Sequence, residues 1–311
     1  MRRGNPHPAR PVDNTFRAFM WMVLSGLAFT GMSVFVKRLS SHLDQSVLVF
    51  FRSAINALVA MALVIQGGRT PWPKRLKRVL GLRGLAGFLS LVCLFFGLSR
   101  LPLPIASLLS WSAPIFVILF SFLFLQERPP AGFLPKVALV FGGLLLVLLP
   151  GSGLVGGEVD SPLSWVAVTV GLLGAVFGGA AFVAVRAATA ELTTEVIVLW
   201  FTSIASLLSL PWFLFKFTPI TRADGLELML LGLFASLGQI AMTQGYRHAS
   251  AGVVSSMSLM NAVFFAVTGW LVFGETLGPL QCLGMAIMAY GVVCLGTGSG
   301  RKSKPNSSPL V

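Results

Sequence analysis

The 311 residues are 55% hydrophobic and only 11% charged, less than half of the roughly 25% charge carried by soluble domains, so a soluble globular fold is excluded. The formal charge of +13 invites a nucleic-acid partner, but the basic residues sort by membrane side and need none. The three cysteines, Cys93, Cys282 and Cys294, are odd in number and lie in apolar runs, which reads as small core residues, with no disulfide framework and no metal site or other cofactor.

In chain order, residues 1–15 form a polar, proline-rich N-terminal tail with Arg2, Arg3 and Arg10. The apolar run that follows is too long for a signal-peptide core and is expected to be retained as a first span. Ten runs of about the length that crosses roughly 30 Å of hydrocarbon lie near 16–37, 46–66, 79–99, 103–125, 133–150, 164–186, 195–215, 225–246, 251–273 and 279–297. A tail, 298–311, closes the chain. With the N-terminus in the cytoplasm, 17 of the 23 Lys and Arg fall on inner segments and 5 on outer ones, leaving Arg52 inside a span. This positive-inside bias predicts cytoplasmic termini and an inner-membrane location. The lipid bilayer is then one partner and a small-molecule substrate the other.

An offset of 148 residues relates the two halves. It carries Ser107, Ser110 and Phe116 onto Ser255, Ser258 and Phe264. Likewise Gly26, Gly31 and Arg38 map onto Gly174, Gly179 and Arg186, and Glu127 and Gly143 onto Glu275 and Gly291. Residues 16–150 and 164–297 are thus two copies of one five-span unit, joined by an external linker, 151–163. Because five is odd, the second copy enters the membrane upside down. Inverted repeats suit alternating access around a midplane site between the halves.

These features resemble the drug/metabolite transporter superfamily, EamA type. The resemblance rests on the segments FLQERPPAGFLPKVALVFGGLLLV (124–147) and VFGETLGPLQCLGMAIMAYGVVCL (272–295), with GLAFTGMSVFVKR and GAVFGGAAFVAVR in spans one and six. It implies an all-α membrane protein of ten transmembrane helices and a carrier of a small metabolite. The nearest well-described kind is the YddG-like amino-acid exporter; carriers of S-adenosylmethionine, nucleosides or sugars are the alternatives. The first copy departs from the second at Pro114, where the second has Ala262 beside Asn261.

Pro114 cannot donate a hydrogen bond to the carbonyl of Ser110, and a free carbonyl in hydrocarbon needs a partner or a wet cavity. Ser107, Ser110 and Pro114 share one helix face, as do Ser255, Ser258 and Asn261. Two polar midspan faces, one per half, fit a central substrate cavity; helix–helix packing is the competing role for the serines. Gln239 and Thr243, one turn apart, and Trp111 complete the candidate substrate site. Gly26, Gly31, Gly174 and Gly179 are read as close-packing or hinge positions. Arg52 either holds a substrate carboxylate or snorkels outward and satisfies helix carbonyls. Glu127 and Glu275 end their spans as helix caps or gate residues.

All ten carboxylates lie in loops or near span ends, so no midplane acidic proton relay is expected. A lining of Ser, Asn, Gln and Trp suits a neutral or zwitterionic solute. An intramembrane enzyme would need an HExxH zinc motif, a midspan aspartate pair or a serine beside a histidine, and none is present. A channel would show a ring of charge or a carbonyl filter. The sequence leaves the choice of monomer or homodimer open.

Overall fold

A computed structural model describes residues 14–73, 76–98, 109, 111–127, 132–148, 165–216, 219–273 and 278–297. The described residues hold eleven α-helices: α1 (Thr15–Leu39), α2 (Gln45–Gln66), α3 (Lys77–Leu98), α4 (Ala113–Leu125), α5 (Phe133–Leu148), α6 (Trp165–Ala188), α7 (Thr194–Phe215), α8 (Arg222–His248), α9 (Ala251–Met257), α10 (Met260–Phe273) and α11 (Pro279–Thr297). They overlap the ten predicted spans; the ninth is divided into α9 and α10, and most of the fourth before Ala113 lies outside the described residues, as do the linker 151–163 and the tail 298–311. Helices α1, α2, α6, α7 and α8, and the stretch Ala251–Val272, are each long and apolar enough to cross a membrane.

Polar residues punctuate the spans. Asn14 caps α1 by accepting a hydrogen bond from the Arg17 amide, and Asp44 caps α2 by accepting from Ser46. Thr221 opens α8 with a capping box, its hydroxyl accepting from the Asp224 amide while the Asp224 carboxylate accepts from Thr221 N–H. Such caps satisfy amide groups that a helix start leaves without partners. Gln126, in left-handed backbone at φ 53°, ends α4.

Helices pair across the repeat. The principal partners are α1 with α8, α3 with α6, α2 with α7 and α5 with α11. The first two pairs exchange places under the 148-residue offset, and each is tied by one hydrogen bond from a serine hydroxyl to a glycine carbonyl. Ser25 Oγ of α1 donates to Gly238 O of α8 at 2.9 Å, and Ser90 Oγ of α3 donates to Gly174 O of α6 at 2.7 Å. Pairing of α5 with α11 is its own mirror. A methyl group added at Gly143 would sit 2.7 Å from Met288 N, and one at Gly291 would sit 2.8 Å from Val140 Cγ2. Met288 and Val140 are themselves related by the offset. The fold is therefore two inverted five-span repeats interleaved about a pseudo-two-fold axis.

The main core joins both halves: Val117, Val140 and Leu144 pack in one cluster with Met257, Met288 and Val292. Large apolar side chains also cover the outside, among them Leu58, Phe124, Trp165 and Phe215. Such a coat would aggregate in water and is what an acyl-chain solvent requires.

Candidate functional site

The ninth span breaks at Ser258 and Leu259. Around the break the backbone switches to tighter bonds, Leu259 N–H to Ser256 O, Asn261 N–H to Ser258 O and Ala262 N–H to Leu259 O, at 3.0–3.3 Å. No proline enforces this. Instead Ser258 Oγ donates to Ser255 O at 2.6 Å, so the hydroxyl competes for a carbonyl near the break. The fourth span carries a matching feature: Ser112, just before α4, donates its Oγ to Leu109 O at 2.6 Å. Interrupted helices near the bilayer centre are where transporters of this architecture place their sites.

Ser255 and Ser258 direct their hydroxyls to carbonyls of their own segment, Ser255 to Gly252 O at 3.1 Å. Thr243 is fully buried and donates to Gln239 O at 2.8 Å. Gln239, on the same face of α8, is buried within the bundle. Asn261 is different, because its Oδ1 is sealed from solvent with no hydrogen-bond partner among the described residues. It sits against α1 at Gly26, where an added methyl would lie 2.6 Å from that oxygen. Trp111 is half-buried and tilts over Phe265, with ring centroids 6.5 Å apart. The structure thus places Trp111 beside the α10 segment that carries Asn261. Ser107, Ser110 and Glu275 lie outside the described residues. The remaining glycines are close-approach points: a methyl group would come within 2.6–2.8 Å of Phe234 at Gly31, of Cys93 at Gly174 and of Phe116 at Gly179. Pro114 is buried in the first turn of α4, where a proline costs no hydrogen bond within that helix.

Glu127 is a tie between four helices. Its Oε1 accepts from Arg186 Nε at 2.7 Å and its Oε2 from the Ala251 amide at 2.9 Å. Arg186 Nη1 in turn donates to Tyr246 O at 2.9 Å, near the end of α8. One carboxylate thereby links the ends of α4, α6 and α8 to the start of α9. Close by, Arg69 pairs with Glu195, Arg247 donates to Leu192 O at 2.6 Å, and Trp200 Nε1 donates to Pro71 O at 2.9 Å. This end of the bundle is the one where α1 begins, since the Asn14 amide donates to His248 O.

One residue escapes a first reading of the sequence. By sequence, Arg83 follows Lys77 and Arg78 and reads as one of the 17 basic residues of the inner segments. In the structure it lies inside α3, is only 3% exposed, and stacks its guanidinium 3.9 Å from the centre of the Phe201 ring. Arg52 is therefore not alone within the spans. Asn56, one turn along α2 from Arg52, is also buried with an unpartnered Oδ1. The repeat offset would have flagged both, because Arg83 aligns with Leu231 and Asn56 with Ile204. Among the described residues no cluster of His, Cys, Asp and Glu is arranged to hold a metal ion.

Comparison with known proteins agrees with this architecture. The model of the EamA-like transporter family matches twice, over residues 16–149 and 165–297. The pseudopaline exporter CntI of Pseudomonas aeruginosa is 36% identical over 275 residues, covering 88% of this chain and 93% of that protein. A riboflavin transporter of Rhizobium johnstonii is 26% identical over 278 residues, covering 86% and 87%. A solved crystal structure superimposes with a TM-score of 0.73 at 18% identity, covering 92% of this chain and 99% of the other, which speaks to the fold alone. The two family matches coincide with the two repeats read from the 148-residue offset. The chain is an integral membrane transporter of small metabolites and belongs to the EamA-like transporter family.

Proposed function

We propose that this chain exports a small amino-acid-type solute across the bacterial inner membrane. Alternating access takes place at a midplane site between the two repeats, with both termini cytoplasmic. The observation that carries this reading is the interrupted ninth span. Its Asn261 presents an unpartnered amide oxygen at the seam with α1, an arrangement that packing alone would disfavour. A buried amide without partners is costly to keep, and a solute ammonium or hydroxyl is the partner it lacks. The direction of transport follows the relative that is named an exporter. The inside-rich distribution of Lys and Arg supports the sidedness. In this scheme Gln239, Thr243, Ser255, Ser258 and Trp111 surround the solute, together with Ser107 and Ser110, and rocking of one repeat against the other exposes it to each side in turn.

The test is counterflow with purified protein in proteoliposomes preloaded with a mixed amino-acid pool. Labelled amino acids should accumulate inside. Asn261→Ala should lower the rate several-fold at an unchanged melting temperature, because the removed oxygen has no partner among the described residues. A folded protein that accumulates no amino acid at all would overturn the amino-acid reading.

A further inference from the structure

Arg83 enters α3 six residues after its start, about 9 Å along the helix axis. A lysine or arginine at that depth ordinarily snorkels back to the nearer membrane face, and side chains on a helix already lean toward its N-terminus. Arg83 does the opposite. Its Nη1 reaches over Gly87, one turn deeper, so closely that a methyl group there would sit 2.3 Å from it. The related position in the second repeat is Ala235, so the missing methyl is specific to the half that carries the arginine. Phe201 covers one face of the guanidinium, and Nε is sealed without an acceptor.

No carboxylate answers this charge among the described residues. Glu127, Glu195, Asp224 and Glu227 are paired with Arg186, Arg69, His42 and Arg38 at the ends of the bundle. A second cation, Arg52, lies seven residues into α2. Arg52 sits about 10 Å along α2 from the opposite membrane face. Two like charges therefore approach the membrane interior from its two sides. A structural role does not account for them. Position 231, the two-fold mate of Arg83, is filled by a leucine that is fully buried, so the fold is satisfied by an apolar group there. The mate of Arg52 is Trp200, whose indole bonds a loop carbonyl.

We propose that Arg83 and Arg52 are the anion-binding part of the transport site, and that the solute is an acidic amino-acid derivative with at least two carboxylates. Guanidinium forks suit planar carboxylates, and a dianion can offer one carboxylate to each cation. Phe201 and Gly87 position the Arg83 fork, while Asn261 is left for the polar, non-acidic part of the molecule. This inference rests on the amino-acid reading and sharpens it from zwitterions in general to acidic ones.

The test is counterflow with labelled glutamate, leucine and glucose 6-phosphate as probes, for the wild-type chain, Arg83→Leu and Arg83→Lys, with melting temperatures of each. Wild type should exchange glutamate about tenfold or more faster than leucine. Arg83→Leu, which copies the second repeat, should lose about tenfold or more of the glutamate rate while melting at the same or a higher temperature. Arg83→Lys should keep part of the rate with a raised half-saturation concentration. Glutamate exchange by folded Arg83→Leu within about threefold of wild type, or an Arg83→Leu chain that no longer folds, would overturn the proposal. Preference for leucine would overturn it too while leaving the amino-acid reading intact, and preference for glucose 6-phosphate would replace carboxylate by phosphate. Absence of any amino-acid exchange would remove the reading beneath it.

Discussion

The two repeats share a frame and differ in what they bury. In the first, Arg52, Asn56 and Arg83 sit inside spans; in the second, the same positions are Trp200, Ile204 and Leu231. Leu231 is wholly enclosed in a cluster with Leu39, Leu43 and Leu228. Arg83 occupies the matching place with a ring on one face and an unbonded nitrogen. Symmetry explains the features that both halves keep, such as the close approach at Gly143 and at its mate Gly291. The features only one half keeps are where the chemistry resides. A polar group that its symmetry mate does without is a cost the fold does not require.

This contrast can be broken by substitution. The largest loss of stability is expected at the carboxylate that ties four helices together at one end of the bundle. Glu127→Ala leaves the mostly buried Arg186 guanidinium without its carboxylate and the Ala251 amide without its acceptor, and should destabilise the protein by about 3 kcal/mol or more, read as a fall in melting temperature in detergent. Next, Leu231→Ala should cost about 2–4 kcal/mol, the range for emptying a buried leucine site. Arg83→Leu at the mate position should cost nothing or gain, so equal losses at the two positions would erase the distinction between the halves. The mirrored glycines allow a finer comparison. Gly143→Ala meets the backbone of Gly284 and Met288, whereas Gly291→Ala meets chiefly the side chain of Val140. Gly143→Ala should therefore be the worse of the pair by about 1 kcal/mol, because backbone yields less than a side chain. The smallest effect on stability is expected at Asn56. Asn56→Leu removes an amide oxygen that has no partner among the described residues and should leave the melting temperature unchanged or slightly raised, with any loss confined to transport.

Much of the architecture was legible in the sequence, since run length, charge asymmetry and one repeat offset gave ten spans and their inverted pairing. The split of the ninth span was not. Proline marks the fourth span, but the ninth breaks through Ser258 and a short series of tighter backbone bonds, and serine by itself carries no such message. Arg83 was hidden for another reason. It follows Lys77 and Arg78 closely, and composition cannot tell a basic residue at the membrane surface from one a turn and a half deeper. Glu127 was recognised as a cap or a gate without its partners, because contacts with residues 59 and 124 positions away leave no local pattern. Gln239, Thr243 and Asn261 stand out in the sequence as candidates because amides and hydroxyls deep in apolar runs are rare.

The pairing of α1 with α8, α3 with α6 and α5 with α11 has a consequence for biogenesis. Every principal helix neighbour of the first repeat's spans is encoded in the second repeat. While the ribosome is still making the second repeat, the first waits in the bilayer with Arg52, Asn56 and Arg83 facing lipid or one another. Assembly must then proceed by threading late helices between early ones, a route of high contact order that is slow and exposes intermediates to degradation. The interleaving also means that the halves need no covalent link once both are inserted. Two separately expressed five-span chains should recognise each other in the membrane, while either one alone should be cleared.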